Sequence, residues 1–210
     1  MRSPWHHNAQ VPVYINNIRT REASNPLSAL PGPASVALSP YAVDPASAIR
    51  HFEVRVTRPA SACLVLEYEL LGDLDRVSVR EPIGHPDHPT DGLWRHTCME
   101  VFVGPGVPGA YLEFNFAPSG QWAAYRFSGY RAGMAPLTGL RPPRIELRRQ
   151  SDRLLLSADV ELPADLAGAH LRLGLAAVVE DTIGRIDYWA LRHAGERPDF
   201  HHPDSFGFEI

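Results

Sequence analysis

The chain has 210 residues, of which 44% are hydrophobic, and a formal net charge of −4. That size suits one ordinary globular domain, and an acidic balance with no basic footprint argues against nucleic acid or an anionic membrane as partner. Two cysteines are too few for a disulfide framework or a thiolate metal site, and no apolar run approaches the roughly 20 residues a bilayer requires, so the reading is a cytoplasmic chain.

Residues 1–35 are rich in Pro, Ser, Ala and Asn without periodicity, and are expected to form an irregular leader ahead of a domain over 36–210. Alternation begins at Ile49: Phe52, Val54 and Val56 fall on one side and His51, Glu53 and Arg55 on the other, which predicts a half-buried strand. Further strands are expected over Cys63–Leu70 and Arg76–Val79, and the Pro-rich stretch 82–91 is a loop. Cys63 and Cys98 both lie in strand-like runs and are expected to be unpaired.

The strongest strand signals sit between Asp91 and Met134. Runs over Trp94–Val103, Tyr111–Ala117 and Gln121–Phe127 are rich in aromatic and β-branched residues and are parted by turn-forming clusters, which predicts an antiparallel meander. Downstream, strands are expected over Ile145–Leu147, Leu154–Val160, Leu171–Val179, Asp187–Ala190 and Phe206–Ile210, with one short helical turn near Leu162–Ala169. About ten short strands separated by regular turns indicate an all-β chain, a single antiparallel β-sandwich.

Side chains alternate across a strand, so the meander can be divided into two faces. Val101, Phe114, Phe116 and Tyr125, with Leu173 and Leu175, are assigned to the core. The opposite face then holds Glu100, Glu113, Asn115, Trp122 and Arg126. Charged and aromatic groups converging on a sheet face make a candidate site, although a charge ladder of Glu100, Arg126 and Glu113 that only supports the sheet remains an equal reading.

The runs DGLWRHTCMEVFVG, YLEFNFAPSGQWAAYRF and YRAGM, with YWAL and PDFHHPDSFGFEI near the end, resemble the bacterial DOMON-like domains. These belong to a β-sandwich group with the family-nine carbohydrate-binding modules and the haem-binding DOMON cytochromes. The resemblance covers about residues 36–210 and specifies the fold more than the ligand. In the sugar-binding relatives two tryptophans sandwich a sugar while a glutamate and an arginine bind its hydroxyls. The matching positions here are Trp94, Trp189, Glu100 and Arg126, with Tyr130 and Trp122 as candidate walls. For Trp189, beside Tyr188 and Leu191, a core position is the stronger reading. The haem-binding relatives imply a Met and His pair, for which Met99, Met134 and several histidines are at hand; other relatives imply structural calcium, for which Asp87, Asp91 and Asp181 could serve.

An enzyme would need more. Glu100 and Glu113 on neighbouring strands resemble a glycosidase acid pair in type, yet strand neighbours point the same way instead of flanking a bond. No phosphate loop, nucleophile elbow or zinc helix is present, and His85, His88, His201 and His202 read as solvated loop histidines. The expectation is therefore a non-catalytic domain without cofactor that binds a small polar ligand, a saccharide first. The alternative is a protein–protein assembly domain, and after it a haem-binding electron carrier.

Overall fold

The computed structural model describes residues 32–82, 85 and 87–210. The expected leader therefore lies, as far as Pro31, outside the described residues. Among them, thirteen strands form two antiparallel sheets. The smaller sheet takes β1 (Ala34–Ala37), β3 (Ile49–Ala60), β4 (Cys63–Gly72), β10 (Arg153–Glu161) and β9 (Arg144–Arg149), in the order β1-β3-β4-β10-β9. The larger sheet runs β2 (Ser39–Pro40), β12 (Ile186–Ala190), β11 (Leu171–Glu180), β5 (Cys98–Pro105), β6 (Tyr111–Phe116), β7 (Trp122–Phe127) and β8 (Ala135–Pro136), and β13 (Phe208–Glu209) also pairs with β11.

In the smaller sheet the period of two decides everything. Along β4, Leu64, Leu66, Tyr68 and Leu70 are buried while the residues between them are half-buried, and β10 repeats this with Leu154, Leu156, Ala158 and Val160. Their apolar faces meet Met99, Val101, Val103, Leu112, Phe114 and Phe116 from the larger sheet and Leu173 and Leu175 from β11. Burying each such large side chain contributes about 1.5–3 kcal/mol, so this interface dominates the folding free energy. A polar link also crosses it: the buried Tyr68 hydroxyl donates to the backbone carbonyl of Glu100 at 2.9 Å. At one end, the buried Arg58 guanidinium donates to the carbonyls of Ala169, Ser61 and Leu166 at 2.6, 2.8 and 3.2 Å, which pins the turn after β10 against the β3–β4 turn.

The larger sheet does not alternate. Strands β6 and nearly all of β5 are buried on both faces. A second apolar cluster on the outer face gathers Phe102, Tyr111, Tyr125, Phe127, Ala176 and Val178 with Phe200 and Phe206. The last two come from the segment 191–207, which leaves β12, crosses the outer face and returns as β13 on the same edge of β11. Gly174 permits the close approach there, since a Cβ at that position would lie 3.3 Å from the Cβ of Phe102.

Several expectations are corrected. Tyr125 packs in the outer cluster and not between the sheets. Residues 76–79 do not form a strand: a single 3₁₀ turn over Leu74–Arg76 leads into an isolated bridge from Val77 to Asp181. Trp94 sits in another such turn, Leu93–Arg95, and the strand begins only at Cys98. Both cysteines are unpaired, Cys98 buried and Cys63 half-buried. No helix among the described residues is long and apolar enough to cross a membrane.

Because Phe114 is 2% exposed and packed between the sheets, Phe114→Ala is expected to lower the unfolding free energy by about 3–5 kcal/mol in a urea titration. An effect below about 1 kcal/mol would mean that the sheets do not meet through β6.

Candidate functional site

The outer face of the larger sheet carries a pocket of about 350 Å³. Its floor is set by register. Glu100 lies opposite Asn115, Phe102 opposite Glu113, and Glu113 opposite Tyr125, so β5, β6 and β7 present these side chains to one face. On the other flank, β11 places Val178 opposite Cys98, and β12 places Tyr188 opposite Val178. The walls come from loops: Trp94 from the 3₁₀ turn before β5, Arg131 and Met134 from the turn after β7, and Pro198, Phe200 and His201 from the covering segment. Trp94 is half-buried and stands edge-on to Tyr125, with ring centroids 5.6 Å apart.

Two carboxylates lie in the floor, each 3% exposed. They occupy diagonal and not opposed positions on β5 and β6, which places their backbones about 7–8 Å apart. Glu113 accepts a hydrogen bond from the Asn115 side-chain amide at 2.7 Å. The Oε1 of Glu100 and the Oδ1 of Asn115 are buried and have no hydrogen-bond partner. Burial raises the Glu113 carboxyl to about 7, against the opposing pull of Asn115 and Arg131. Burial, and then the charge of Glu113, drives the Glu100 carboxyl well above the ordinary range.

The nearby cations do not neutralise this pair. Arg131 gives its guanidinium to Asp199, with Nη2 to Oδ1 at 2.8 Å and Nε at 3.2 Å. Burial disfavours the charge of Asp199, but hydrogen bonds from Tyr130 and Arg131 outweigh it and hold that carboxyl below its usual value. His201 shares a hydrogen bond between Nδ1 and the Tyr111 hydroxyl at 2.8 Å, and its Nε2 lies 3.8 Å from Glu113. Burial, with Arg131 nearby, lowers its imidazole to about 4, so the ring is neutral at ordinary pH.

Of the residues expected at the site, the structure brings Trp94, Glu100, Glu113 and Asn115 to one face. It does not bring the others. Trp122 and Arg126 lie on the opposite face of β7, because Phe116 pairs with Trp122 and Leu112 with Arg126. Trp122 is buried in the inter-sheet core, and Arg126 reaches out to Asp165 at 3.1 Å. The turn Pro118-Ser119-Gly120 explains the correction: three residues between Ala117 and Gln121 put even-numbered positions opposite even-numbered ones, so Trp122 must share the face of Phe116. Trp189 is 5% exposed and packs on Phe52, with centroids 6.0 Å apart, inside the core. Tyr130 lies outside the pocket rim, is 51% exposed, and donates to Asp199.

The sequence reading missed His201, Phe200, Arg131 and Phe127. The correct parity on β7 would have found Phe127, whereas nothing periodic marks a loop residue such as His201. Among the described residues, the Met and His candidates are not placed as a haem pair. Met99 is fully buried between the sheets, and although Met134 and His201 border the pocket, the His201 nitrogens face Tyr111 and Glu113. Nor do the three aspartates gather around a cation: Asp91 accepts from Tyr125, Asp181 accepts from the amides of Ile183 and Arg185, and Asp87 sits beside His85.

No protein-family model and no curated protein sequence matches the chain. Among solved structures, the chain is similar to that of a "putative carbohydrate-binding protein" from Bacteroides uniformis ATCC 8492. The identity is 15%, the TM-score 0.56, and the match covers 83% of this chain and 84% of that one. The likeness is one of fold, a β-rich sandwich.

Two outcomes are expected from this geometry. Arg126→Ala removes only an exposed ion pair and should change stability by no more than about 1 kcal/mol in denaturant titration. The second concerns pH. The raised Glu113 carboxyl contributes stability that is complete below about 4.5 and is lost as pH rises through about 7, while the lowered His201 contributes stability that is present above about 6.5 and lost as pH falls through about 4. The melting temperature should therefore peak in weakly acidic solution, and Glu113→Gln should flatten the fall on the alkaline side; an unchanged pH profile in that variant would contradict the burial of Glu113.

Proposed function

We propose that the protein is a non-catalytic binding module whose pocket takes a saccharide or a closely related small polar ligand. The observation that carries this reading is the pairing, in one pocket, of aromatic walls with dehydrated polar groups that the chain leaves short of partners. A sugar ring offers an apolar C–H face to an aromatic and a rim of hydroxyls to carboxylates and amides. Trp94, Phe127, Tyr188 and Phe200 supply the first, and Glu100 and Glu113 the second, with Asn115 buried behind them and holding Glu113. The fold likeness and the resemblance to DOMON-like domains support the same reading. A concave pocket half closed by residues 191–207 suits a small ligand better than the flat surface of a partner chain. The two carboxylates rise from one sheet face, and among the described residues of the pocket no further carboxylate stands across from them to form the acid pair that glycoside hydrolysis needs, which favours binding over hydrolysis.

A thermal-shift screen with neutral sugars, amino sugars and nucleotide sugars tests the proposal. At least one class should raise the melting temperature of the parent, and Trp94→Ala should abolish that shift while lowering stability only modestly, because the ring is half-buried. Absence of any shift in the parent, or full ligand response in Trp94→Ala, would overturn it.

A further inference from the structure

Resting on the reading of this pocket as a sugar site, we infer that its ligand carries a protonated amine, so that the class of saccharide it takes is an amino sugar. Four observations converge. Both carboxylates of the floor are 3% exposed, and Oε1 of Glu100 is buried with no hydrogen-bond partner. An ionised carboxylate so placed is costly unless a positive group meets it. Among the described residues the chain does not provide that group. Arg131 is committed to Asp199, Arg126 points to the other face and pairs with Asp165, and His201 is held neutral against Tyr111. Lastly, the walls are aromatic, and the faces of Trp and Tyr attract a cation as well as an apolar ring. A neutral sugar meets the pair only as a hydrogen-bond partner, whereas an ammonium group donates to several oxygens at once and can replace the proton that burial keeps on the pair.

The groups facing the pair from each packed element are few. Cys98 and Phe102 flank Glu100 on β5, Asn115 and Tyr111 flank Glu113 on β6, Tyr125 faces it from β7, Val178 comes from β11, and His201 and Arg131 come from the loops. None of these except Arg131 is charged at neutral pH. The empty pair therefore keeps at least part of a proton, since burial favours the neutral acids. When an ammonium enters, it takes the place of that proton: the carboxyl O–H gives H⁺ to solvent, the oxygen accepts from N–H, and the total charge of the site is unchanged. Binding of the amine should thus release protons, and binding of a neutral sugar should not.

The test is calorimetric titration of the full chain at about pH 6, where the amine of glucosamine is charged, with glucose and N-acetylglucosamine as uncharged counterparts of the same ring. Glucosamine should bind at least about tenfold more tightly than either, and repeating the titration in two buffers of different ionisation enthalpy should show proton release for glucosamine alone. Glu100→Gln and Glu113→Gln should each weaken glucosamine about tenfold while changing glucose by less than about threefold. Both variants keep nearly the shape of the protonated acid and should melt about where the parent does at that pH, which separates loss of binding from loss of fold. If the uncharged sugars bind as tightly as glucosamine, or the two variants keep full affinity for it, the charge inference fails and the sugar site stands. If none of the three sugars binds the parent, both fail.

Discussion

Everything in this molecule depends on the two-sided burial of β5 and β6. Strands of an antiparallel sheet commonly show one face to water, but these two are enclosed by the smaller sheet within and by residues 191–207 without. The inner layer holds the fold together through Leu, Val and Phe contacts. The outer layer dehydrates whatever polar side chains the strands present to it. Glu100, Glu113 and Asn115 are thus perturbed by the same packing that completes the sandwich, and the electrostatics of the pocket follow from architecture without any special local device.

The same feature sets how far the sequence could be read. Where one face is solvated, as in β3, β4 and β10, alternation shows directly in the residue types, and the buried positions follow from it. On β7 both parities are apolar: Trp122 and Ala124 on one side, Tyr125 and Phe127 on the other. Hydrophobic pattern cannot choose between them, and a one-residue error moves every side chain to the wrong face. Arg126 drew the assignment astray, because its charge suits a polar face, yet it lies close to the margin of the inner layer and reaches solvent there. Glu100 and Glu113 were legible because Val101 and Phe114 flank them with unambiguous core character. His201 was not, since its role depends on where the loop after β12 lands over Phe102, Tyr111 and Phe127 of the outer face.

The fold and the pocket carry different kinds of information. Likeness at 15% identity speaks for the arrangement of strands, which many sequences can satisfy by placing apolar residues at alternate positions. The pocket rests on particular side chains: an indole held edge-on to Tyr125, a carboxylate oxygen without a partner, and an arginine already bound to Asp199. The Tyr68 hydroxyl joins the two levels, because it anchors the backbone of Glu100 from the opposite sheet and so sets the height of that carboxylate in the floor.

The outermost strand of the smaller sheet, β9, has the sequence Arg-Ile-Glu-Leu-Arg-Arg, with only Ile145 half-buried and the other five positions exposed. An open sheet edge offers unpaired amides and carbonyls to any extended chain that drifts near, and is where sandwiches start to polymerise. Here an arriving copy of the strand would have to bring its own arginines against three others. Like-charge repulsion along that border acts as a guard against fibrous association, and it is most effective at low ionic strength, where the repulsion reaches farthest.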